Sequence, residues 1–589
     1  MWFGSGMSSL LNSRWWGSSS NELEMRRKTV IRSPISTRVA RLAVILFFSS
    51  SAFAQQQLAG WVNAQLPWQK AVVDADGRLL AWHHPEKNQG YDKVLRLAWD
   101  FIEHKVPNDP ATGLKIYLIN AVYDDNTFQG WNWQGNPASL YGQFVDSLLG
   151  WYPYSGDEQA IQVVRSMLDY HLAHGTTPAD WDWAGVPYAT NCKNSPEYGG
   201  CLQDVPRDFV GGIETDKLGE LGIGYVLFYE MTGERKYLDA GVKCAEALAK
   251  HVKPGDEDHT PWPFRVDART GRVLGGLLDA HSMEVTDGED YGGMVVANVR
   301  LLDELVRLKA GDTASFAKTR DIAWKWILDY PMQNDRWSGY FEDVPLNKKN
   351  LNQAAPTMTA YYILTRPDPA AVDPDWVNHV GDIIDWVRRS LGRGPYFHAW
   401  AIDEQGEAPD FQGCCSRSGL ASDTSRWGAI NAMYYERTGD AQAREDAFRS
   451  LNYATYFAAS EGKISCCGLG FDGQYWFDDG YADYARNFSW AMGAIPEFAP
   501  VGENHLLRSS SVVQKVTYAE RSVQYRTFDP AATEVLRLHF KPAQITAGGV
   551  SLPEAEGLPG DGYTVRPLPA GDFVVHVRHT HSGEIRIAW

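Results

Sequence analysis

The chain has 589 residues, 44% of them hydrophobic and 22% charged, which is the composition of a folded globular protein with a large core. Its formal net charge of −18 repels phosphate backbones, so nucleic acid is not an expected partner. The 23 Trp, 28 Tyr and 23 Phe exceed what a core requires and suit stacking on flat apolar ligand faces, of which sugar rings are one kind.

Residues 1–54 are expected to lie outside the fold. The stretch "RVARLAVILFFSSSAFA" (38–54) has a basic flank, an apolar run from Leu42 to Phe48 and a small-residue ending, the pattern of a secretory signal peptide. The basic Arg26-Arg27-Lys28 after Met25 places the natural start there and marks the preceding residues as a non-native extension. The apolar run is too short to span a bilayer, so the expected mature chain starts near Gln55, is exported to the periplasm or beyond, and inserts in no membrane.

After a lead-in over residues 55–89, helical patterns fill residues 90–499. Four signals punctuate them: "YSGD" at Gly156, "MTGE" at Gly233, "KAGD" at Gly311 and "RTGD" at Gly439. Each ends one helix at a glycine and opens the next with an acidic first turn, and "TRPDPAAVDPDW" is a degenerate fifth. One group of helices is expected near 139–152, 215–231, 290–308, 351–364, 423–437 and 480–495. A second is expected near 91–105, 157–173, 236–251, 313–330, 375–391 and 441–458. The repeat is therefore a series of helical hairpins. Segments of the first group, such as "LGELGIGYVLFYE", are apolar on most faces and rich in small residues, which predicts an inner ring. "RKYLDAGVKCAEALAKHV" has one charged side and belongs outside.

The loops leading into the first group are long, and they carry much of the aromatic and acidic content, as in "NTFQGWNWQGN", "EVTDGEDYGG" and "GQYWFDDGYADY". Long loops in a compact domain are usually functional. Beyond Pro500 the texture changes to alternating segments, among them "SVVQKVTY", "EVLRLHF" and "DFVVHVRH". These predict a small β-sandwich over residues 500–589. Seven cysteines in an exported chain favour disulfides. Cys192 and Cys201 are expected to pair within one loop, Cys244 to be buried in a helix, and Cys414, Cys415, Cys466 and Cys467 to form loop-to-loop bridges.

These turns, alternating helices, aromatic and acidic loops and β-rich tail resemble the six-hairpin, (α/α)6-toroid glycosidase superfamily. The resemblance spans roughly residues 90–580 and implies carbohydrate cleavage, by hydrolysis in most members and by β-elimination in others. Zinc-holding β-L-arabinofuranosidases of this architecture carry an adjacent cysteine pair, but the prolines and Glu-x-Cys element that accompany it are missing around "GCCSRSG" and "SCCGLG". His-x-x-x-His and EF-hand spacings are likewise missing, so neither a metal nor a cofactor is expected.

Hydrolysis needs a carboxylic acid and an opposed carboxylate. Candidates stand at the mouths of inner helices: Glu214 and Glu289 as the acid/base pair, with Asp216 and Asp290 close behind, Asp287 beside Glu289, and Glu342, Asp343, Asp423, Asp478, Asp479 and Asp483 further round. The expected sugar contacts are Trp131, Trp133, Trp181, Trp183, Trp262, Tyr291, His398, Arg417, Trp476 and Asp479. Acidic residues at helix starts also cap free N–H groups without any catalysis, and Asp216 and Asp423 are natural caps. Two alternatives remain open. A polysaccharide lyase would use Tyr291, Tyr396 or His398 as base with Arg417 on a uronate, and a non-catalytic glycan-binding protein would use the aromatics alone.

Overall fold

The computed structural model describes residues 71–83, 88–110, 112–115, 122–124, 136–192, 198–202, 209–274, 291–292, 294–337, 353–396, 399–402, 421–464, 475–477 and 479–589, all within the compact unit Gln55–Trp589. Twelve long helices occur among them: α1 Gly90–Asp100, α2 Pro137–Ser155, α3 Glu158–His174, α4 Thr215–Thr232, α5 Arg235–His251, α6 Val295–Leu308, α7 Thr313–Asp329, α8 Ala354–Thr365, α9 Trp376–Leu391, α10 Ala421–Thr438, α11 Ala441–Ala454 and α12 Asp479–Ala494.

The glycine turns work as the sequence predicts. Gly156, Gly233, Gly311 and Gly439 all have φ between 71° and 77°, a left-handed conformation that costs glycine little. Asp157, Asp312 and Asp440 then cap α3, α7 and α11 by accepting backbone N–H groups. Each turn reverses the chain, pairing an even-numbered helix with the odd-numbered helix that follows.

The even-numbered helices close a ring. In order, α2 packs on α4, α4 on α6, α6 on α8, α8 on α10, α10 on α12, and α12 returns to α2. The first helix, α1, packs against the last, α12, and Tyr91 Oη donates to Asn452 Oδ1 of α11 at 2.8 Å. The chain is therefore an (α/α)6 toroid. Small residues let the inner helices touch backbone to backbone. A Cβ on Gly142 of α2 would lie 2.4 Å from the Glu220 carbonyl oxygen of α4, and one on Gly219 would lie 2.4 Å from the Asn298 backbone nitrogen of α6.

Two antiparallel sheets follow. One has the order Gly562–Pro567, Phe573–His579, Ala532–Leu538, His505–Ser509, and the other Val550–Ser551, Gln544–Ala547, Glu584–Ala588, Ser522–Thr527, Val513–Ala519. They seat on the C-terminal ends of inner helices. His505 Nδ1 meets the Tyr154 carbonyl at 2.8 Å, Gln514 Nε2 donates to the Glu230 carbonyl at 2.7 Å, and Tyr518 Oη donates to that of Pro153. Arg508 adds a two-pronged pair with Glu436 at 2.5 and 2.6 Å. That end of the ring is covered, and the N-termini of the inner helices stand at the other end.

Three short ribbons were not expected inside those loops. Val122–Asp124 pairs with Tyr475–Phe477, β1 (Gly212–Glu214) with β2 (Arg265–Asp267), and Gly392–Tyr396 with Ala399–Ile402. Cys192 and Cys201 form a disulfide with Cα atoms 5.0 Å apart, and Cys244 is a buried free thiol. Cys414, Cys415, Cys466 and Cys467 lie outside the described residues. Among the described residues no helix is long and apolar enough to cross a membrane.

The close contact at Gly142 gives a direct test. Gly142→Ala pushes a methyl group into backbone rather than a movable side chain, and is expected to destabilise the fold by about 1–3 kcal/mol in chemical denaturation; an unchanged midpoint would contradict the packing.

Candidate active site

All six inner helices line one cavity at the axis of the ring, enclosing about 870 Å³ including the part that opens to solvent. Its wall is charged although its helices are largely apolar. The acids are Asp146 of α2, Glu220 of α4, Asp423 of α10 and Asp483 of α12. The bases are Lys217 of α4, Arg300 of α6, Arg426 of α10 and Arg486 of α12.

A buried charge is stable only when paired and hydrogen-bonded, and these are linked in a chain around the wall. Arg300 grips Asp146 through contacts of 3.1 and 3.2 Å, and Arg486 reaches the same carboxylate at 3.2 Å. Arg486 also meets Asp483 at 2.5 Å, and Asp483 pairs in turn with Arg426. Arg426 closes on Asp423 at 3.2 Å and on Gln353 Oε1 at 2.9 Å. On α4, Lys217 stands 3.4 Å from Glu220 and 4.0 Å from Asp216.

The β1–β2 ribbon sits at the mouth of α4. Glu214 and Arg265 are direct cross-strand partners, 2.7 Å apart from Oε1 to Nε, and the Asn136 amide lies 3.5 Å from Glu214 Oε2. Glu214 is fully buried. In this structure the residue ties the ribbon to the start of α4 through Arg265, its cross-strand partner. Its side chain does not cap α4.

Asp216, two residues on, differs. Burial pushes its carboxyl up to about 7, the nearby charges of Glu220 and Glu214 push the same way, and Lys217 only partly offsets them. Its Oδ1 has no hydrogen-bond partner among the described residues, and neither has Glu220 Oε2. The mouth of α4 therefore carries a carboxyl group that burial holds well above the usual carboxylate range, one helical turn from Glu220 on the cavity wall.

The other expected contacts divide. Trp183 is buried and stacked on His251 at 4.0 Å, and Trp262 is buried with its indole N–H on the Leu248 carbonyl. Both anchor loops, and burial leaves neither a face for a sugar. Trp181 is half-buried under the Arg269 guanidinium, 5.4 Å away. Tyr291 is buried, donates to the Arg336 carbonyl at 2.9 Å, and has its phenol pushed well up by burial, which makes it a poor base where it stands. Asp287, Glu289, Asp290, Glu342, Asp343, Asp478, Trp131, Trp133, His398 and Arg417 lie outside the described residues, as do the side chains of Tyr396, Trp476 and Asp479.

Asp146, Glu220 and the four cations did not emerge from the sequence as site residues. A signal was present, since Lys217–Glu220, Asp423–Arg426 and Asp483–Arg486 are all oppositely charged pairs three residues apart inside helices that should be apolar.

No protein-family model matches the chain, and no curated protein matches it. Similar solved structures include a D-mannose isomerase (11% identity, TM-score 0.49, covering 71% of this chain and 99% of that one). A cellobiose 2-epimerase from Bacillus thermoamylovorans gives 11% identity and a TM-score of 0.48, covering 68% and 99%. A family 76 glycoside hydrolase from a bovine Bacteroides thetaiotaomicron strain gives 10% and 0.41, covering 69% and 79%. The toroid assignment itself rests on the closed ring of this chain's own helices.

Removing one member of the ion-pair chain strands its partners. Arg426→Met leaves Asp423 and Asp483 facing each other in a buried wall and is expected to cost about 3–5 kcal/mol of unfolding free energy; a loss below about 1 kcal/mol would show that the network is solvated.

Proposed function

We propose that the protein is an exported glycoside hydrolase whose acid is Asp216 and whose opposed carboxylate is Asp423. The observation that carries this reading is their placement. α4 and α10 are diametrically opposite in a six-membered ring, and each residue lies in the first turn of its helix; Asp423 lines the cavity, and Asp216 is buried one turn from cavity-lining Glu220.

A glycosidic oxygen is a poor leaving group until it is protonated, and the donor must still hold its proton at working pH. Burial supplies that condition at Asp216. Glu214 contributes from beneath: fixed by Arg265, it adds negative charge that helps keep the Asp216 proton in place. Across the ring, Asp423 is held by Arg426 and is positioned to activate water or attack the anomeric carbon, the separation of the two carboxyls deciding which. The Cys192–Cys201 bridge fits an oxidising compartment and supports export. A lyase is less well supported, because the described residues lining the cavity include no Tyr or His to serve as base.

Asp216→Asn is expected to lower kcat for glycan hydrolysis by about 10²–10⁴-fold while leaving ligand affinity within a few-fold, measured by release of reducing ends and by calorimetry. Wild-type activity should fall as pH rises above about 7, where Asp216 loses its proton. An unfolded aspartate releases that proton near pH 4, so stability should also decline as pH rises through this window, and the Asn variant should flatten the decline. Full activity in the variant would refute the assignment; ultraviolet-absorbing unsaturated products would move it to a lyase.

A further inference from the structure

The cavity floor carries an inference about what the enzyme accepts, and it rests on the carbohydrate reading above. We propose that the floor is a binding subsite for the ring of an uncharged sugar and that it rejects uronates. The described acids and bases of the wall match in number, and each cation is already engaged: Arg300 on Asp146, Arg486 on Asp146 and Asp483, Arg426 on Asp423 and Asp483, Lys217 on Glu220. A uronate carboxylate entering here would meet four carboxylates and no uncommitted cation among the described residues. An isolated buried anion is the most costly group to place in such a site.

What the floor leaves over is neutral hydrogen-bonding capacity. Gln143 Oε1 is an acceptor without a hydrogen bond, Glu220 Oε2 has only the 3.4 Å ion pair with Lys217, and the Nε–H of Arg486, a residue 4% exposed, is a donor without a partner. All three residues line the cavity. A hydroxyl donates and accepts at once, so adjacent ring hydroxyls satisfy both kinds of orphan together. Met294, Val296, Ala297 and Met358 complete the wall with an apolar stretch suited to the C–H face of a sugar ring.

The test uses the wild-type protein and paired probes, the methyl glycosides of glucose, galactose and mannose against those of the corresponding uronic acids, titrated by calorimetry. At least one neutral glycoside is expected to bind ten-fold or more tightly than its uronate. Gln143→Ala removes an acceptor outside the ion-pair network and is expected to weaken that binding about 3–10-fold at unchanged melting temperature. A preference for uronates overturns the charge argument and leaves the carbohydrate reading standing. Binding of neither set, with oligosaccharide turnover retained, overturns the subsite alone; binding of neither with no glycan turned over removes both. Unchanged affinity in Gln143→Ala also overturns the subsite.

Discussion

Burial of charge in the inner ring is the constraint on which the rest of the structure depends. A helix packed on both sides by inner neighbours and on its back by an outer one can reach water only at its ends and along the ring axis. A charged side chain in mid-helix must therefore find its counter-ion inside the protein, either on a neighbouring helix, as Asp303 of α6 does with Arg320 of α7, or across the axis. Asp146, Arg300, Arg486, Asp483, Arg426 and Asp423 obey this as one linked chain, and the cavity is the space they share. The same network fixes where the helices stand, because a carboxylate bridged by two guanidiniums from other helices tolerates little sliding. Fold and cavity are in this sense one arrangement, with the β-sandwich covering the C-terminal ends of the inner helices.

The architecture was legible because its determinants are local. The left-handed glycines and the acidic residue that follows each one are fixed by backbone geometry within four residues, and the helices they bound appear within a few residues of expectation. The difference between inner and outer helices was equally readable, since a helix buried on all sides must be apolar on all sides. The three loop ribbons were not readable, because strands of three to five residues show too little period, and the partner of Val122–Asp124 lies several hundred residues away. The short strands Gln544–Ala547 and Val550–Ser551 escaped because four and two residues show no period.

The site was legible only at its mouth. Glu214 and Asp216 look equivalent in sequence, two acids flanking one threonine, and what separates them is tertiary: a cross-strand arginine fifty-one residues on pairs with one, while burial, only partly offset by Lys217, pushes the carboxyl of the other up. The floor was hidden behind a habit of reading charge as surface. In a helix with a solvated side, Asp-x-x-Arg is an ordinary exposed pair. In α10 and α12, with no solvated side, the same spacing has to mean an internal ion pair. Trp183 and Trp262 show the converse, since an indole beside polar loop residues reads as a ligand platform until its burial is known.

If Asp216 and Asp423 act together on a glycan, a sugar ring occupies the axial cavity between the mouth of α4 and the mouth of α10. The most direct measurement is a crystal structure of Asp216→Asn soaked with an oligosaccharide that the wild-type enzyme cleaves. The account predicts ordered density with one ring in contact with Glu220 and the scissile oxygen beside residue 216, with Asp423 on the opposite face. Density confined to the loop surface or the β-sandwich, with the cavity holding only water, would contradict it.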